Sequence, residues 1–371
     1  MSALTRPEHG GDLLAFARRT GRRMEECLDL STAISPWSWS LPLEQLPVHL
    51  WQRLPSASGA EAELLAAAST YYGCQREQVL AVPGSQAAIE WLPRIFTPDR
   101  SRTPIAQNVP TSRRGPAPGA RSRVAVPALG YAEHAYHWQQ AGAELRFYQS
   151  PVQLGEWVAA GQVERAVVIE PNNPTADYMG AGRLRSLAAQ LAERGGCLIV
   201  DQAFADACPE PSLSAAAGSA GLIILRSLGK FFGLAGLRLG FVLAAPATLK
   251  SLAAHRPLWS LPAPTCWLGT RALADAAWIA AQHQRLQQGS ARLQTELTAT
   301  ATGLRWVAGP GFVSGAGDAW QVERLAHELA AAAIMSRVYR ALDGDAVVLR
   351  LGLPAATDWP RLSAALRRIA A

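Results

Sequence analysis

The sequence predicts an α/β protein: a mostly parallel sheet with helices on both faces, followed by a smaller α+β C-terminal domain. Three observations predict it. Short, fully apolar runs alternate with stretches of helical spacing between about 79 and 245, as strands buried on both faces of a parallel sheet do. Polar residues capable of chemistry follow these runs directly, where ligands bind in open α/β sheets. From about 260 the character changes to long Ala/Leu/Gln/Arg-rich helices and a single later apolar run.

The elements follow in order. Residues 1–35 read as an N-terminal arm of loop chemistry, with Glu8-His9-Gly10-Gly11, Leu28-Asp29-Leu30-Ser31 and Ser35-Pro36. Trp37, Trp39 and Trp51 suggest packing onto something larger. Residues 60–72 read as a helix with Gly73 as its C-cap. The run 79–82 leads to Pro83-Gly84-Ser85-Gln86 and a helical stretch, 87–92. Gly and Ser at such a junction offer backbone N–H groups and a hydroxyl to a phosphate, although Ser is also an ordinary N-cap.

Strand candidates 124–126, 144–148, 166–169, 197–200 and 222–225 come next, with helices at 132–141 and 184–194 and an apolar run at 237–245. Tyr131, Asn173, Asp201, Ser227 and Lys230 each fall just after a strand. Beyond, 267 to about 301 reads as long helices, 309–317 as a Gly/Pro loop, 320–333 as helix, 347–351 as strand and 358–371 as helix. The domains predicted are the arm 1–35, a large domain 36–258 and a small domain 259–371.

A chain of 371 residues, 49% apolar and 17% charged, suits a folded globule. No apolar run reaches the length of a membrane span, and the N-terminus lacks the apolar middle of a signal peptide. Five scattered cysteines with no Cys/His cluster predict a reduced, cytoplasmic protein without a structural metal. The net charge of +6 is local: the stretch 94–123 holds seven arginines and one acid, leaving 28 bases and 28 acids elsewhere. With five prolines in that stretch, residues 97–122 read as a flexible basic insertion without a catalytic role. Attraction of this stretch to RNA or a membrane surface is the alternative; the expectation is no nucleic-acid and no membrane partner.

Only two of the 35 basic residues are lysines, Lys230 and Lys250. Arginine stays protonated, whereas a desolvated lysine near other cations can lose its proton and attack a carbonyl. Lys230 sits in a glycine-rich loop; Lys250 has no such surroundings and reads as a surface residue. Around an aromatic aldehyde phosphate, Lys230 can form the imine and Asp201 can pair with a protonated ring nitrogen. Asn173 can donate to the ring oxygen and Tyr131 can stack on the ring. Gly84, Ser85, Gln86, Ser227 and Arg238 can hold the phosphate. Singly, each has a plainer reading as a turn, cap or surface residue.

Pro-Asn-Asn-Pro-Thr at 171–175, Asp-x-Ala-Phe at 201–204 and Ser-x-x-Lys-x-x-Gly-x-x-Gly-x-Arg at 227–238 resemble the fold-type I pyridoxal-phosphate aminotransferase superfamily. Within it, Glu8 to Gly11, Leu28 to Ser31, Pro83 to Ile89, Gly130 to His134 and Leu225 to Phe231 look like the threonine-phosphate decarboxylases of cobalamin biosynthesis, relatives of histidinol-phosphate aminotransferase. The resemblance implies pyridoxal 5'-phosphate as cofactor and conversion of L-threonine O-3-phosphate to (R)-1-amino-2-propanol O-2-phosphate and carbon dioxide. It also implies a homodimer with a shared active site. It assigns Arg350 to the substrate carboxylate and Arg337, near the end of the preceding helix, to the phosphate or carboxylate. His9 would come from an arm that closes over the substrate.

The sequence departs from the family where Glu170 and Ala176 flank the core motif, where Phe204 replaces a common Tyr, and where Leu54 replaces a Tyr that reaches the neighbouring subunit's cofactor. A histidinol-phosphate-type aminotransferase is the main alternative. Ser227-x-x-Lys230 also matches a motif of serine hydrolases, but their companion motifs are missing. The retained Lys230, Asp201 and Arg238 argue against a catalytically dead regulator.

Overall fold

The computed structural model describes residues 4–97, 121–208, 213–299 and 303–370. The basic stretch therefore lies, at 98–120, outside the described residues. A seven-stranded sheet organises the larger part, in the order Val79–Val82, Gly240–Ala244, Leu222–Ser227, Cys197–Asp201, Arg165–Ile169, Arg123–Pro127, Glu144–Tyr148. Gly240–Ala244 alone runs against its neighbours; the other six point the same way.

Alternate strand residues enter two separate cores. Ala166, Val168, Leu198, Val200, Leu222 and Ile224 pack on one face with helices Ala60–Tyr72, Pro151–Ala159, Ala181–Glu193 and Ala263–Ala274. Val124, Val126, Val167, Ile199, Ile223 and Leu225 pack on the other with Ser85–Phe96, Glu133–Gln140 and Pro246–Ala253. The period of two in side-chain direction makes one sheet serve both layers. All six parallel strands end at one edge, where Gly84, Tyr131, Asn173, Asp201, Ser227 and Lys230 follow.

A second sheet, antiparallel throughout, has the order Arg337–Arg340, Val347–Gly352, Phe312–Ala316, Arg305–Gly309. Helices Ala276–Ala299, Ala319–Ala331 and Trp359–Ala370 accompany it. The structure corrects three expectations. The Gly/Pro stretch 309–317 is a hairpin, turned at Pro310-Gly311. Its glycines make room for rings: a Cβ on Gly315 would lie 2.6 Å from the Trp306 indole, and one on Gly309 2.5 Å from the Phe312 ring. The helices expected across 267–301 are present and meet at Asp275, whose carboxylate accepts from Trp278 N and from Trp39 Nε1, both at 3.0 Å. Arg337 begins a strand instead of ending a helix. The arm contains a helix, Leu13–Thr20, capped by Asp12 and left-handed Gly21, with Phe16 and Ala17 buried against Cys27, Ala333 and Met335.

The arm then adds a short strand, Leu28–Asp29, parallel to Ile334–Met335. Gln282, fully buried on the helix Ala276–Ala299, shares its amide hydrogens among Ser35 Oγ, Trp37 O and Phe231 O at 2.6, 3.1 and 2.8 Å. Among the described residues, no helix is long and apolar enough to cross a membrane.

Candidate active site

Lys230 leaves the strand Leu222–Ser227 on a turn between buried Leu228 and Phe231. Its Nζ donates to Thr32 O at 2.9 Å and lies 5.5 Å from the centre of the Phe204 ring. Burial, then the charges of Arg350 and Arg238, bring this amine down from 10.5 to about 7, against the opposing pull of Asp201 and Asp29. Half of such amines are neutral near pH 7, which is the condition for attack on a carbonyl. Lys250 sits on the exposed side of the helix Pro246–Ala253.

Asp201 ends its strand buried. Its Oδ2 meets His134 Nε2 at 2.9 Å, and its Oδ1 accepts from Ala203 N at 3.1 Å. His134 is the residue the sequence reading left without a role. It stands one helical turn from Tyr131, at the start of the helix Glu133–Gln140, and its signals were this spacing and its place in the segment Gly130 to His134.

Asn173 Oδ1 accepts from Arg350 Nη1 at 2.7 Å, which leaves the Asn173 amide nitrogen as the group able to donate to a ring oxygen. Ser314 Oγ donates to Pro174 O at 2.5 Å and ties this loop to the second sheet. The two departures flanking the motif have local accounts. Glu170 accepts from Met179 N at 2.8 Å and Gly180 N at 3.2 Å, and its burial pushes its pKa up. Ala176 takes a left-handed φ of 62°, a conformation that costs about 1–2 kcal/mol for an L-residue other than glycine.

At the end of Val79–Val82, Gly84 has φ 79° and opens the helix Ser85–Phe96. A Cβ on Gly84 would lie 2.7 Å from Arg238 Nη2, so only glycine lets that guanidinium come so close to the helix N-terminus. Arg238 itself is left-handed, with φ 49°. Ser227 Oγ accepts from Gly229 N at 3.2 Å. The arrangement of Gly84, Ser85, Ser227 and Arg238 offers helix-end N–H groups, a hydroxyl and a guanidinium, the donor set a phosphate needs.

Tyr131 OH donates to Gln86 Oε1 at 3.0 Å. Burial, then Glu133 and Asp201, raise the Tyr131 phenol, so it stays protonated. Gln86 Nε2 donates to Glu133 Oε2 at 2.8 Å. Buried Glu133 also meets His9 Nε2 at 2.7 Å and His137 Nε2 at 2.9 Å. Burial alone would raise its carboxyl, but the His9 and Gln86 hydrogen bonds outweigh that and hold it below the usual range. This network joins His9 of the arm to Tyr131, whose ring centres are 5.8 Å apart. Gly10 allows the arm's approach: a Cβ there would meet Ser31 Oγ at 2.5 Å.

Arg350 is 2% exposed and receives no carboxylate within 4 Å among the described residues. Nη1 donates to Asn173 and, at 2.7 Å, to Tyr339 OH; Nη2 donates to Ser31 O. Its buried Nε has no hydrogen-bond partner among the described residues. Arg337 lies directly opposite Arg350 across the antiparallel pair and donates to Glu8 O.

Phe204 is buried and packs edge-on against Phe312 at 5.3 Å, while Leu54 is 66% exposed. Among the described residues, no group of three or more His, Cys, Asp or Glu is placed to hold a metal ion. Besides His134, the roles of Glu133 and Tyr339 escaped the sequence reading. Glu133 had no spacing to mark it, and Tyr339 lies on a strand that was not expected.

The family described as aminotransferase class I and II matches residues 52–366. A threonine-phosphate decarboxylase of Pseudomonas aeruginosa is 38% identical over 363 residues, covering 97% of each chain. One from Sinorhizobium sp is 36% identical over 257 residues, 69% of this chain and 68% of that one. Among solved structures, histidinol-phosphate aminotransferase from Sinorhizobium meliloti in complex with pyridoxal-5'-phosphate superposes with a TM-score of 0.80 at 19% identity, over 99% of this chain and 95% of that one. That likeness bears out the fold class read from the sequence.

Proposed function

The chain belongs to the aminotransferase class I and II family, and from that membership we propose that it decarboxylates L-threonine O-3-phosphate, with pyridoxal 5'-phosphate as cofactor, to (R)-1-amino-2-propanol O-2-phosphate and carbon dioxide. This is a lyase step of cobalamin biosynthesis. The relatives at 36–38% identity carry the name threonine-phosphate decarboxylase.

The residues fit the cofactor. The cradle that a Cβ on Gly84 would fill, with Arg238 against it, suits its phosphate, and Ser85, Gln86 and Ser227 would complete the donor set. Lys230 would hold its aldehyde carbon, Asp201 its ring nitrogen and Asn173 its ring oxygen, with Tyr131 against its face. When bound, the group supplies an electron sink for the pair released from the bond between Cα and the carboxylate. Asp201, kept in place by His134 and Ala203 N, holds a negative charge where a protonated ring nitrogen needs one. Lys230 Nζ, with its pKa near 7, can both release and receive a proton at neutral pH.

The observation that carries the reading is Arg350. A buried guanidinium without a carboxylate is costly, and here it also keeps an unpartnered Nε. Arg226, by contrast, is buried against Asp206. Arg350 with Arg337 opposite suits a substrate bearing both a carboxylate and a phosphate. His9, partly exposed on the arm, is available to the same substrate.

We further propose a homodimer in the cytoplasm. Leu41, Leu43, Val48, Trp51 and Leu54 expose apolar surface on one stretch, as do Leu258 and Trp259. Surface of this kind favours a second copy as its cover. The five cysteines are free, as reducing conditions would keep them. Sedimentation at micromolar concentration tests the dimer; a monomer would end that proposal. For the reaction, the purified protein with cofactor should release carbon dioxide from L-threonine O-3-phosphate. Glutamate formed from histidinol phosphate and 2-oxoglutarate, without carbon dioxide release, would instead make it a histidinol-phosphate-type aminotransferase.

A further inference from the structure

Tyr339 touches both Arg337 and Arg350 in the second sheet. The strand Arg337–Arg340 pairs antiparallel with Val347–Gly352, with Arg337 opposite Arg350 and Tyr339 opposite Val348. Arg337 and Tyr339 share one strand face, because side chains alternate. Tyr339 is thus the diagonal neighbour of Arg350, within reach of long side chains across such a pair. The contacts follow that geometry. Arg350 Cζ lies 5.3 Å from the centre of the Tyr339 ring and Arg337 Cζ lies 5.5 Å from it. The ring faces both cations, and the hydroxyl accepts from Arg350 Nη1 at 2.7 Å.

Two like charges directly opposite on a strand pair destabilise it. Arg350 registers this: burial first, then Arg337, lower its pKa, while Tyr339 opposes them. A sheet that needed only stability would place an apolar or acidic residue at one of these positions. Tyr339 makes the arrangement tolerable through its π face and its oxygen.

The hydrogen bonds of Arg350 also set its orientation. Nη1 is taken by Asn173 and Tyr339, and Nη2 has Ser31 O. Of the five N–H donors, Nε–H and one hydrogen of Nη2 are left over. A carboxylate arriving at Arg350 is therefore directed to the Nε side. Without the Tyr339 hydroxyl, Nη1 would keep one free hydrogen, and the guanidinium could accept an anion at its far end as well.

We propose that Tyr339 is a positioning residue that sets specificity: its hydroxyl turns the Nε side of Arg350 towards the substrate carboxylate, and its ring, in contact with both guanidiniums, offsets the repulsion between Arg337 and Arg350. The inference rests on the reading of Arg350 and Arg337 as the substrate's two cation sites.

The test uses the holoenzyme and two inert anions. 3-Phosphonooxybutanoate keeps the carboxylate and phosphate of the substrate but has no amine. Isopropyl phosphate keeps the phosphate alone. Neither can be turned over, so calorimetry reads binding directly. Wild-type protein should prefer the carboxylate-bearing anion. Tyr339→Phe keeps the ring against the guanidiniums and removes the hydroxyl. It should weaken 3-phosphonooxybutanoate by about tenfold, as expected for one hydrogen bond to a charged group, and isopropyl phosphate by less than about twofold. A variant that binds both anions as wild type does, or loses both equally, would overturn the role of Tyr339. A wild type that makes no distinction between the anions would instead remove Arg350 as the carboxylate site, and the inference with it.

Discussion

Lys230→Met separates what the fold does to this amine from what the cofactor does. In the cofactor-free protein, burial and the charges of Arg350 and Arg238 bring Lys230 to about 7, whereas the unfolded chain keeps its ordinary 10.5. Between these values the unfolded chain holds one more proton at this group than the folded chain. Folding stability therefore rises with pH through that window. Below about pH 7 both states are protonated, and the full cost of burying the ammonium is present. A displacement from 10.5 to about 7 corresponds to about 5 kcal/mol at about 1.36 kcal/mol per pH unit, with relaxation of the site making this a ceiling. Methionine has similar length and never titrates. Its advantage over lysine should be largest near about pH 6 and shrink by up to about 5 kcal/mol as the pH approaches 10.5. Urea unfolding of the two cofactor-free proteins at several pH values measures this difference. A difference that stays level within about 1 kcal/mol, or that grows with pH, refutes the argument that the fold itself holds Lys230 neutral.

Three further outcomes follow from the geometry. Gly84→Ala places a Cβ 2.7 Å from Arg238 Nη2 at a φ of 79°; it should cost about 1–2 kcal/mol in unfolding free energy and lower affinity for pyridoxal phosphate by about tenfold or more in a spectroscopic titration. Arg226→Met leaves buried Asp206 without its cation and should cost about 3–5 kcal/mol, much of which Asp206→Leu in the same chain restores. Glu133→Gln should cost about 1–3 kcal/mol at pH 7 by thermal unfolding. Because the Glu133 carboxyl sits below its ordinary 4.5 in the folded chain, its contribution is present above that value. It fades as pH falls, and the gap between variant and wild type should close in acid.

The large sheet was legible because its strands are buried on both faces. Runs such as Leu222 to Leu225 and Cys197 to Val200 are continuously apolar, and no helix of that length ends so abruptly in polar residues. The candidate site was legible for the same reason: Asp201, Asn173 and Lys230 are defined by where a strand stops. The second sheet hid itself. Gly309 and Gly315 read as loop residues, yet each is small because an aromatic ring lies over it, and that ring is remote information in a linear reading. Arg337 and Tyr339 look like polar residues after a helix; only pairing with Val347–Gly352 makes them strand. His134 and Glu133 draw their roles from partners 67 and 124 residues away, Asp201 and His9. The helix Leu13–Thr20 was missed because its burial depends on Ala333 and Met335.

Gln282 has a consequence for how the protein opens. Its side chain joins a helix beside the second sheet to the chain leaving the arm and to the turn after Lys230. Ser35 N and Gly233 N donate to Lys230 O, and Trp39 N donates to Phe232 O, around the same buried amide. Gln282 ties the segments that carry these backbone bonds to one another. The amide hydrogens of Ser35, Trp39 and Gly233 should therefore exchange with deuterium as one slow class, released by a single opening event that also uncovers Lys230. Substituting Gln282 would split that class, and the turn would then breathe apart from the helix.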